Sequence, residues 1–544
     1  MPRVKVEDSS PRRRLGLPLA WNKKSGATDS TSQIRTKFGI KSQNMHKVFT
    51  AAQIRDLDKY TIAHEPIASI DLMERASRNF CDWFVGKFHA LQKTGIVCGT
   101  GNNGGDGLAI ARLLAGWDYP LKVWIVRGGG TPSADFQINF DRLAGTKVEI
   151  EEISSPETNF DFSDREIIID ALFGSGLSRP VEGLYADVVN RINETNATVV
   201  AVDAPSGLHA DEVSSGAIIQ ADYTVTFQFP KLSFFLPQSF QYTGEWTVLD
   251  IGLHKEGIRE AATTWFYLSR KGVKRLLRRR SKFDHKGTYG HAVLVAGSHG
   301  KVGAAVLSAR AVLRSGVGLL TVYAPGCGYA ALQTAVPEAM ALTDANSNHI
   351  ASAPDTSSYN VVGVGPGIGQ AEETVNAFRL MLEKNEKPLV VDADALNILA
   401  SHRELMHMIP PGSILTPHPR EFERLVGGWS SDFDRLAKQK ELAARLRSII
   451  VVKGAYTSIA TAEGTVYFNT TGNPGMGTGG TGDVLTGILT GLRAQGYDAT
   501  TSAILGVYLH GLAGDLAARE LGMESLIASD VITFLPAAFK NLSS

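Results

Sequence analysis

The sequence predicts an α/β protein of two successive domains, each built on a mostly parallel, doubly wound sheet. Three observations carry this prediction. The chain has 544 residues, beyond the size at which one hydrophobic core keeps growing. Short apolar strands alternate with helical stretches along most of it, as in parallel sheets covered by helices on both faces. Two glycine-rich turns, each running into a helix, fall in different halves with different motif orders, so the halves are distinct rather than an internal repeat.

Residues 1–47 hold eleven Lys or Arg against Glu7, Asp8 and Asp29 and read as a disordered basic tail, which leaves the remainder net acidic. The tail lacks the apolar stretch of a secretory signal. Arg12, Arg13, Arg14 and several serines fit a transit peptide, and the early acids fit it poorly. Regular patterning starts near Val48, with helices over 49–55 and 70–84, where apolar residues recur at three- and four-residue spacing. Strands follow at 94–98, 121–126, 166–170, 198–203, 223–227 and 246–249, so the first domain spans 48–252. Residues 253–284 read as a linker. Their Arg278-Arg279-Arg280 run and Lys cluster could form a phosphate-binding patch, but a solvated face is the plainer reading. A second strand series at 291–296, 319–323, 361–364, 389–392, 413–416 and 449–453 ends in helices from Thr481 onward and defines a domain over 285–544.

Composition narrows the function classes. The chain is 43% hydrophobic and 20% charged with zero formal net charge, which gives nucleic acid no support as a partner. Cys81, Cys98 and Cys327 have no metal-type spacing and suit a reducing compartment. No run approaches eighteen apolar residues, so no membrane-spanning helix is predicted. The expected partners are small molecules, without nucleic acid or membrane, together with further copies of the chain in a homo-oligomer. The expected location is the cytoplasm, with the basic N-terminus leaving mitochondria open.

The strand at 94–98 runs into Gly99-Thr100-Gly101-Asn102-Asn103-Gly104-Gly105-Asp106-Gly107. Glycines let the backbone approach a phosphate, and the following helix N-terminus supplies N–H donors. Gly99, Gly101 and Gly104 alone make only a weak dinucleotide fingerprint. Two further strand ends bring Asp170, before the 171–177 turn, and Asp203-Ala204-Pro205-Ser206-Gly207. Ligands gather at such carboxyl ends in open parallel sheets. Asn103, Asp170, Asp203 and Ser206 therefore converge on one crevice, where oxygen atoms can ligate a hard cation and an Asp can act as general base. Each Asp taken singly could merely cap a turn; three strand ends together with the glycine turn favour a site.

On these residues, with Leu72-Met73-Glu74-Arg75-Ala76 and Pro230-Lys231, residues 48–252 resemble the YjeF N-terminal domain family, the NAD(P)H-hydrate epimerases. The resemblance implies a Rossmann-like three-layer sandwich. It implies that Asn102, Asn103, Gly104, Gly105 and Asp106 bind hydrated dinucleotide together with Gly174, Ser175, Gly176, Leu177, Ser178, Arg179 and Pro180. It also implies catalytic substrate contact through Asp203 and a potassium ion at Asn103, Asp170 and Ser206. Ser175 stands where the family usually has Thr.

The second turn is Gly475-Met476-Gly477-Thr478-Gly479-Gly480-Thr481-Gly482-Asp483. Successive glycine amides at a helix N-terminus make an anion hole for a transferring phosphoryl group, and Asp483 is placed to take a proton from an attacking hydroxyl. A flexible linker would not lead directly into the apolar-periodic helix over 484–492. Thr416-Pro417-His418-Pro419-Arg420-Glu421 and Lys453-Gly454-Ala455-Tyr456-Thr457 end two strands, and Gly365-Pro366-Gly367 adds another glycine turn. His418, between two prolines, is read as a substrate contact; the alternative is a satisfied turn histidine.

With His285–His291 and Gly303-Ala304-Ala305 added, residues 285–540 resemble the ADP-dependent NAD(P)H-hydrate dehydratases, which implies a ribokinase-like α/β domain. Arg420 replaces a Gly common in that family. The resemblance implies nucleotide binding by Lys453, Gly454, Ala455, Tyr456, Thr457 and Gly482, and hydrate binding by Ala304, Gly367, His418 and Asp483, with Asp483 catalytic, ADP as co-substrate and magnesium as cofactor. The implied function is metabolite repair: interconversion of the R and S forms of hydrated NADH and NADPH (NADHX and NADPHX), then dehydration of the S form at the expense of ADP. Two alternatives stand beside it. One is a vitamin or sugar kinase with a Rossmann-like appendage. The other makes the first half a non-catalytic binding module, like lipoprotein-binding relatives of that domain.

Overall fold

A computed structural model describes residues 45–544 apart from Asn159; the expectation of a basic tail lies outside the described residues up to position 44. Eighteen strands are described. In chain order they are β1 (His46–Val48), β2 (Thr94–Cys98), β3 (Leu121–Val126), β4 (Glu149–Ile153), β5 (Ile167–Ala171), β6 (Thr198–Val202), β7 (Tyr223–Phe227), β8 (Glu245–Leu249), β9 (Trp265–Tyr267), β10 (His291–Val295), β11 (Leu319–Ala324), β12 (Met340–Thr343), β13 (Val361–Val364), β14 (Leu389–Val391), β15 (Ile414–Leu415), β16 (Ile449–Val452), β17 (Ser458–Ala460) and β18 (Val466–Phe468).

The first sheet has the order β4-β3-β2-β5-β6-β7-β8 and is parallel throughout. Strands β2 and β5 are buried along their whole length, as expected when helices cover both faces. The helix Ser69–Val85 buries Leu72, Met73, Ala76, Phe80, Cys81 and Phe84 on one face, the 3.6-residue stripe that the sequence displays. The preceding helix, Ala51–His64, starts at a capping box in which Thr50 Oγ accepts from the Gln53 N–H and Gln53 Oε1 accepts from the Thr50 N–H, satisfying two otherwise orphaned donors. Strand order reverses between β2 and β5, so the crevice at their carboxyl ends is the topological switch point where ligands collect.

The second sheet has eleven strands in the order β1-β9-β18-β17-β16-β15-β14-β13-β10-β11-β12. Its switch point lies between β10 and β13, which pair in parallel from Ala292 opposite Val361. Two helices lie across this end of the domain: Val302–Arg314, after β10, and Thr481–Ala494. They pack closely. A β-carbon at Gly487 would fall 2.3 Å from the Ser308 carbonyl oxygen, so only glycine allows this approach.

Two expectations need correction. Residues 46 and 47, assigned to the tail, form β1 together with Val48. Residues 253–284, assigned to a linker, contain β9 and the helices Lys255–Glu260 and Arg270–Lys274. β1 pairs antiparallel with β9, and β9 pairs parallel with β18. The first domain is therefore inserted between two strands that extend the second domain's sheet. Docking reinforces the connection. Leu232, Phe235 and Leu236 join the second domain's core, Phe235 stacks on Phe468 at 4.7 Å, and Gln238 and Asp432 exchange two hydrogen bonds of 2.9 Å. Three-residue strands carry too little periodicity to read from sequence, and their pairing is long-range. Among the described residues no helix is long and apolar enough to cross a membrane.

Two candidate active sites

At the first switch point lies a cavity of about 700 Å³. Asn102, Asn103 and Asp106 reach it from the helix Asn102–Ala115, residues 172–179 from the loop after β5, and Asp203 from the end of β6. The helix Ala51–His64 closes the opposite wall with Arg55 and Asp58. Gly104 and Gly105 are buried in the turn rather than lining the cavity, and Pro180 also lies outside the lining. The glycines are there for close approach. A β-carbon on Gly104 would sit 1.8 Å from the Gly99 carbonyl oxygen, and one on Gly99 would sit 2.2 Å from that of Leu172. Overpacking of this kind costs about 1–3 kcal/mol. Gly104→Ala should therefore lower the melting temperature by several degrees and cut first-site turnover at least tenfold, leaving the second site's rate intact; thermal denaturation and separate assays of the two activities check it.

Asp170 is fully buried. It accepts from the Ser206 N–H at 2.8 Å, the Ser206 hydroxyl at 2.6 Å and the Leu172 N–H at 3.2 Å. Burial still pushes its carboxyl up to about 6 against those three bonds, with no Lys or Arg paired to it among the described residues. Asn103, nearby, leaves its side-chain nitrogen buried and unpartnered, and reversing the amide would put an oxygen there. A buried unpaired carboxylate amid amide, hydroxyl and carbonyl oxygens is the donor set of a hard monovalent cation. The residues expected to hold potassium fit one.

Asp203 does have a cation. Lys231, with no exposed surface, donates from Nζ to Asp203 Oδ1 at 2.6 Å, to Thr226 Oγ1 at 2.8 Å and to the Phe229 carbonyl at 3.2 Å. Burial alone would raise the Asp203 carboxyl; the Lys231 charge and hydrogen bond, aided by the Ser175 N–H, outweigh it and hold the group below the usual value of 3.8. Asp203 also adopts a left-handed backbone with φ +66°, a conformation that costs energy outside glycine and recurs where a side chain is aimed at a ligand. Asp58 behaves oppositely. Burial and the facing Asp203 carboxylate push it up to about 6, against the pull of Lys231. Asp106 is raised as well, by burial first and then by Asp203 and Asp58.

The second cavity, of about 390 Å³, lies at the second switch point. Ala304 and its neighbour Gly303 come from the helix after β10, Gly367 from the turn after β13, and Asp483 from the first turn of the helix Thr481–Ala494, with Asp394 and Glu421 alongside. Burial and the carboxylates of Asp392 and Asp394 push Asp483 up to about 6 against Lys453. Lys453 Nζ donates to the buried Asp392 at 2.9 Å, and Thr486 donates to the other oxygen of Asp392 at 2.6 Å. A β-carbon on Gly482 would lie 3.3 Å from Lys453 Nζ, so the glycine turn and the 453–457 segment meet at this lysine. The imidazole of His510 donates from Nε2 to the Thr481 carbonyl at 3.0 Å and anchors the start of the helix. Tyr456 packs edge-on against Phe235, centroids 5.4 Å apart, so the first domain abuts the expected nucleotide segment.

His418 caps a helix through one ring nitrogen, and its Nε2 lies 3.3 Å from Glu421. Its Nδ1 accepts from the Arg420 and Glu421 N–H groups, 3.2 and 3.3 Å away, and caps the helix Pro419–Val426. It does not line the cavity, whereas Glu421 does. Burial raises Glu421 to about 7. Arg420 sits in the helix's first turn without positive φ, so the replacement of Gly brings no backbone strain. Among the described residues no cluster of three His, Cys, Asp or Glu is arranged to hold a metal. The carboxylates here fit magnesium only as an ion carried on nucleotide phosphates, its usual mode of binding.

Sequence reasoning did not single out Asp58, Asp392, Asp394 or Glu421 as site residues, and it gave Lys231 no role. Asp392 closes an apolar strand, the same signal that exposed Asp170 and Asp203, so it was findable. Asp58 sits mid-helix with no motif around it, and only the packing of that helix over the crevice brings it to the site.

The family described as NAD(P)H-hydrate dehydratase matches residues 292–537, and the family described as YjeF-related protein N-terminus matches residues 69–233. The bifunctional NAD(P)H-hydrate repair enzyme of Moorella thermoacetica is 36% identical over 511 residues, covering 91% of this chain and 96% of its own. That of Thermofilum pendens is 35% identical over 514 residues, covering 91% and 97%. Among solved structures, the ADP/ATP-dependent NAD(P)H-hydrate dehydratase of Bacillus subtilis, crystallised with ATP and Mg2+, is 32% identical, covering 51% of this chain and 98% of its own with a TM-score of 0.45. With both domain families present in order and relatives matched along nearly their whole length, this chain belongs to the bifunctional NAD(P)H-hydrate repair enzymes.

Proposed function

We propose that the chain interconverts the R and S forms of NADHX and NADPHX at its first site and dehydrates the S form at its second, converting ADP to AMP and phosphate. The observation that carries this reading is the pair of switch-point cavities in one compact chain, one built around an ionised and a raised carboxyl, the other around a raised carboxyl beside a glycine turn at a helix N-terminus. The kinase alternative leaves the buried Asp170 and the Asp203–Lys231 pair without a purpose.

At the first site, epimerisation needs the hydroxyl at carbon 6 to leave and water to return to the other face. The ring nitrogen lone pair expels the hydroxyl once it is protonated, and the resulting iminium is flat and open on both sides. Asp58 and Asp203 have environments that push their acidities apart, the signature of an acid and base pair. Asp58, protonated up to about pH 6, gives the proton to the departing hydroxyl; Asp203, kept ionised by Lys231, orients the returning water and faces the cationic ring, and the proton this water loses on adding to carbon 6 restores Asp58. Asn102, Asp106 and the 174–179 loop hold the dinucleotide. Potassium at Asn103, Asp170 and Ser206 would neutralise the Asp170 carboxylate and fix the loop that follows it. Asp58→Asn keeps shape and removes the proton. Acid assistance is worth about a hundred- to ten-thousand-fold, so epimerisation should slow within that range, with the S form still dehydrated at the parent rate; chiral separation of the hydrates over time checks it.

At the second site, Asp483 takes the proton from the C6 hydroxyl as that oxygen attacks the β-phosphorus of ADP, and AMP leaves. The amides of 477–482 stabilise charge on the transferring phosphoryl, and Lys453 and Gly482 hold the nucleotide. Magnesium would neutralise the phosphate oxygens. The new C6–O–phosphate bond then breaks under push from the ring nitrogen, inorganic phosphate departs, and loss of a C5 proton restores the dihydropyridine. The test is a mixture of both hydrate epimers incubated with and without ADP. With ADP, the absorbance of reduced nicotinamide should return for both epimers, with one AMP and one phosphate formed per ring restored. Without ADP, only epimer exchange should occur. Accumulation of a stable phosphorylated product would instead favour the kinase alternative.

A further inference from the structure

A cavity with a volume of about 1060 Å³ lies in the second domain, apart from the two sites. Of its sixteen lining residues seven are Lys or Arg, and none is Asp or Glu. It is framed by the carboxyl ends of the helices Val302–Arg314 and Thr481–Ala494, by the stretch 271–280, and by one face of the helix Ala528–Ser543.

A bland account would assign these cations to helix ends, whose exposed carbonyls attract positive charge. Two of them do that work directly. Arg278 donates to the carbonyls of Gln495 and Gly496 and lies over the Tyr497 ring; Arg280 donates to the Gly316 carbonyl and lies over Tyr289. Lys271, Lys274, Arg279 and Arg314 do not. Among the described residues none of these four side chains makes a hydrogen bond or pairs with an acid. Crowding them around one concavity is unfavourable by like-charge repulsion unless an anion sits among them. Beside them runs an apolar wall of Leu277, Pro536 and Phe539, which a simple inorganic anion would not use. The chain outside its N-terminal stretch is net acidic, so an extended polyanion would be repelled beyond the patch, whereas a compact one fits inside it.

We infer that this cavity is a second anion site that binds an organic polyphosphate of nucleotide size, with its phosphates on Lys271, Lys274, Arg279 and Arg314 and its flat body against Leu277, Pro536 and Phe539. The site is separate from the dehydratase cavity, beside which Lys453 and the glycine turn lie, and its existence does not depend on the activity proposed above.

The test is calorimetric binding of inorganic tripolyphosphate to the full chain, to the Lys274→Glu/Arg279→Glu variant and to Lys453→Met. Affinity should fall about tenfold or more in the double variant, given the strength of charge-assisted contacts, and stay within about twofold in Lys453→Met. Loss in Lys453→Met with retention in the double variant would place the anion at the dehydratase site and overturn the inference. Should the charge reversals disturb folding, Lys274→Gln/Arg279→Gln replaces them, with dehydration rate as the folding control; unchanged tripolyphosphate affinity there overturns it equally. A nucleoside triphosphate should displace tripolyphosphate from Lys453→Met and bind it more tightly, and equal or weaker binding would refute the apolar half of the site. Capture by anionic phospholipid vesicles that tripolyphosphate does not reverse would make the patch a membrane contact instead.

Discussion

Asp483→Asn should slow dehydration of the S hydrate by about a hundred- to ten-thousand-fold, the usual worth of general-base assistance, while ADP binding changes far less and epimerisation not at all. The substitution preserves shape and removes only basicity, at a residue whose carboxylate lines the hydrate cavity while Lys453 and Gly482 meet beside it. The pH dependence gives an independent reading. Burial and the carboxylates of Asp392 and Asp394 push the Asp483 carboxyl up to about 6, and a base works only when ionised. The parent kcat/KM should therefore rise with pH through about 6 and level off above it, and the Asn variant should lose that limb. Stability runs in the opposite direction. A carboxyl whose folded value lies above its unfolded 3.8 favours folding at low pH and penalises it as pH rises through about 6. The variant should keep or gain melting temperature at neutral pH, since its amide carries no buried charge. A parent-like rate in Asp483→Asn would sink the kinase-like mechanism.

Lys231→Met should abolish measurable epimerisation and destabilise the first domain by about 3–5 kcal/mol, the cost of stripping one partner from a buried pair. The loss exceeds that of a surface ion pair because Lys231 has no exposed surface and also serves Thr226 and the Phe229 carbonyl. Asp203 supplies the sign. In the parent its folded carboxyl lies below 3.8, so the stability it contributes is fully present above that value and is lost only as pH falls through the lower folded one. Without Lys231, burial dominates and the carboxyl moves up. The variant should then gain more stability than the parent as pH falls from neutrality toward 4, because the raised carboxyls of Asp170, Asp483 and Glu421 act in both proteins and the raised Asp203 only in the variant. Melting curves between pH 4 and 8 check this, and parallel curves for the two proteins would contradict the assigned role of Lys231.

Much of this protein is determined within short windows. β2, β5, β6, β10, β13 and β16 are predominantly apolar runs because both faces of a parallel sheet are covered, and that pattern needs no partner to be legible. The turns at 99–107 and 475–483 are legible for a related reason. Close backbone approach excludes every side chain, as the 1.8 Å clash at Gly104 shows, so the chemistry leaves a run of glycines in the sequence. Asp170 and Asp203 were found because a polar residue ending an apolar strand stands out.

What only the tertiary structure decided are contacts between segments far apart in the chain. β1 and β9 are three residues each; they take their place in the second sheet by pairing across more than two hundred residues, and that pairing turns a presumed tail and linker into the seam holding the first domain. Asp58 enters the first site because its helix, capped by Thr50 and Gln53, crosses the crevice, not because of any local signal. Lys231 was visible as a residue but not as the partner of Asp203, and Glu421, beside His418, was not visible as a residue lining the cavity. Local sequence specifies the backbone's period and its points of close approach; which charges share a buried space depends on how the elements pack, and that sum over the whole fold sets the acidities on which both sites rely.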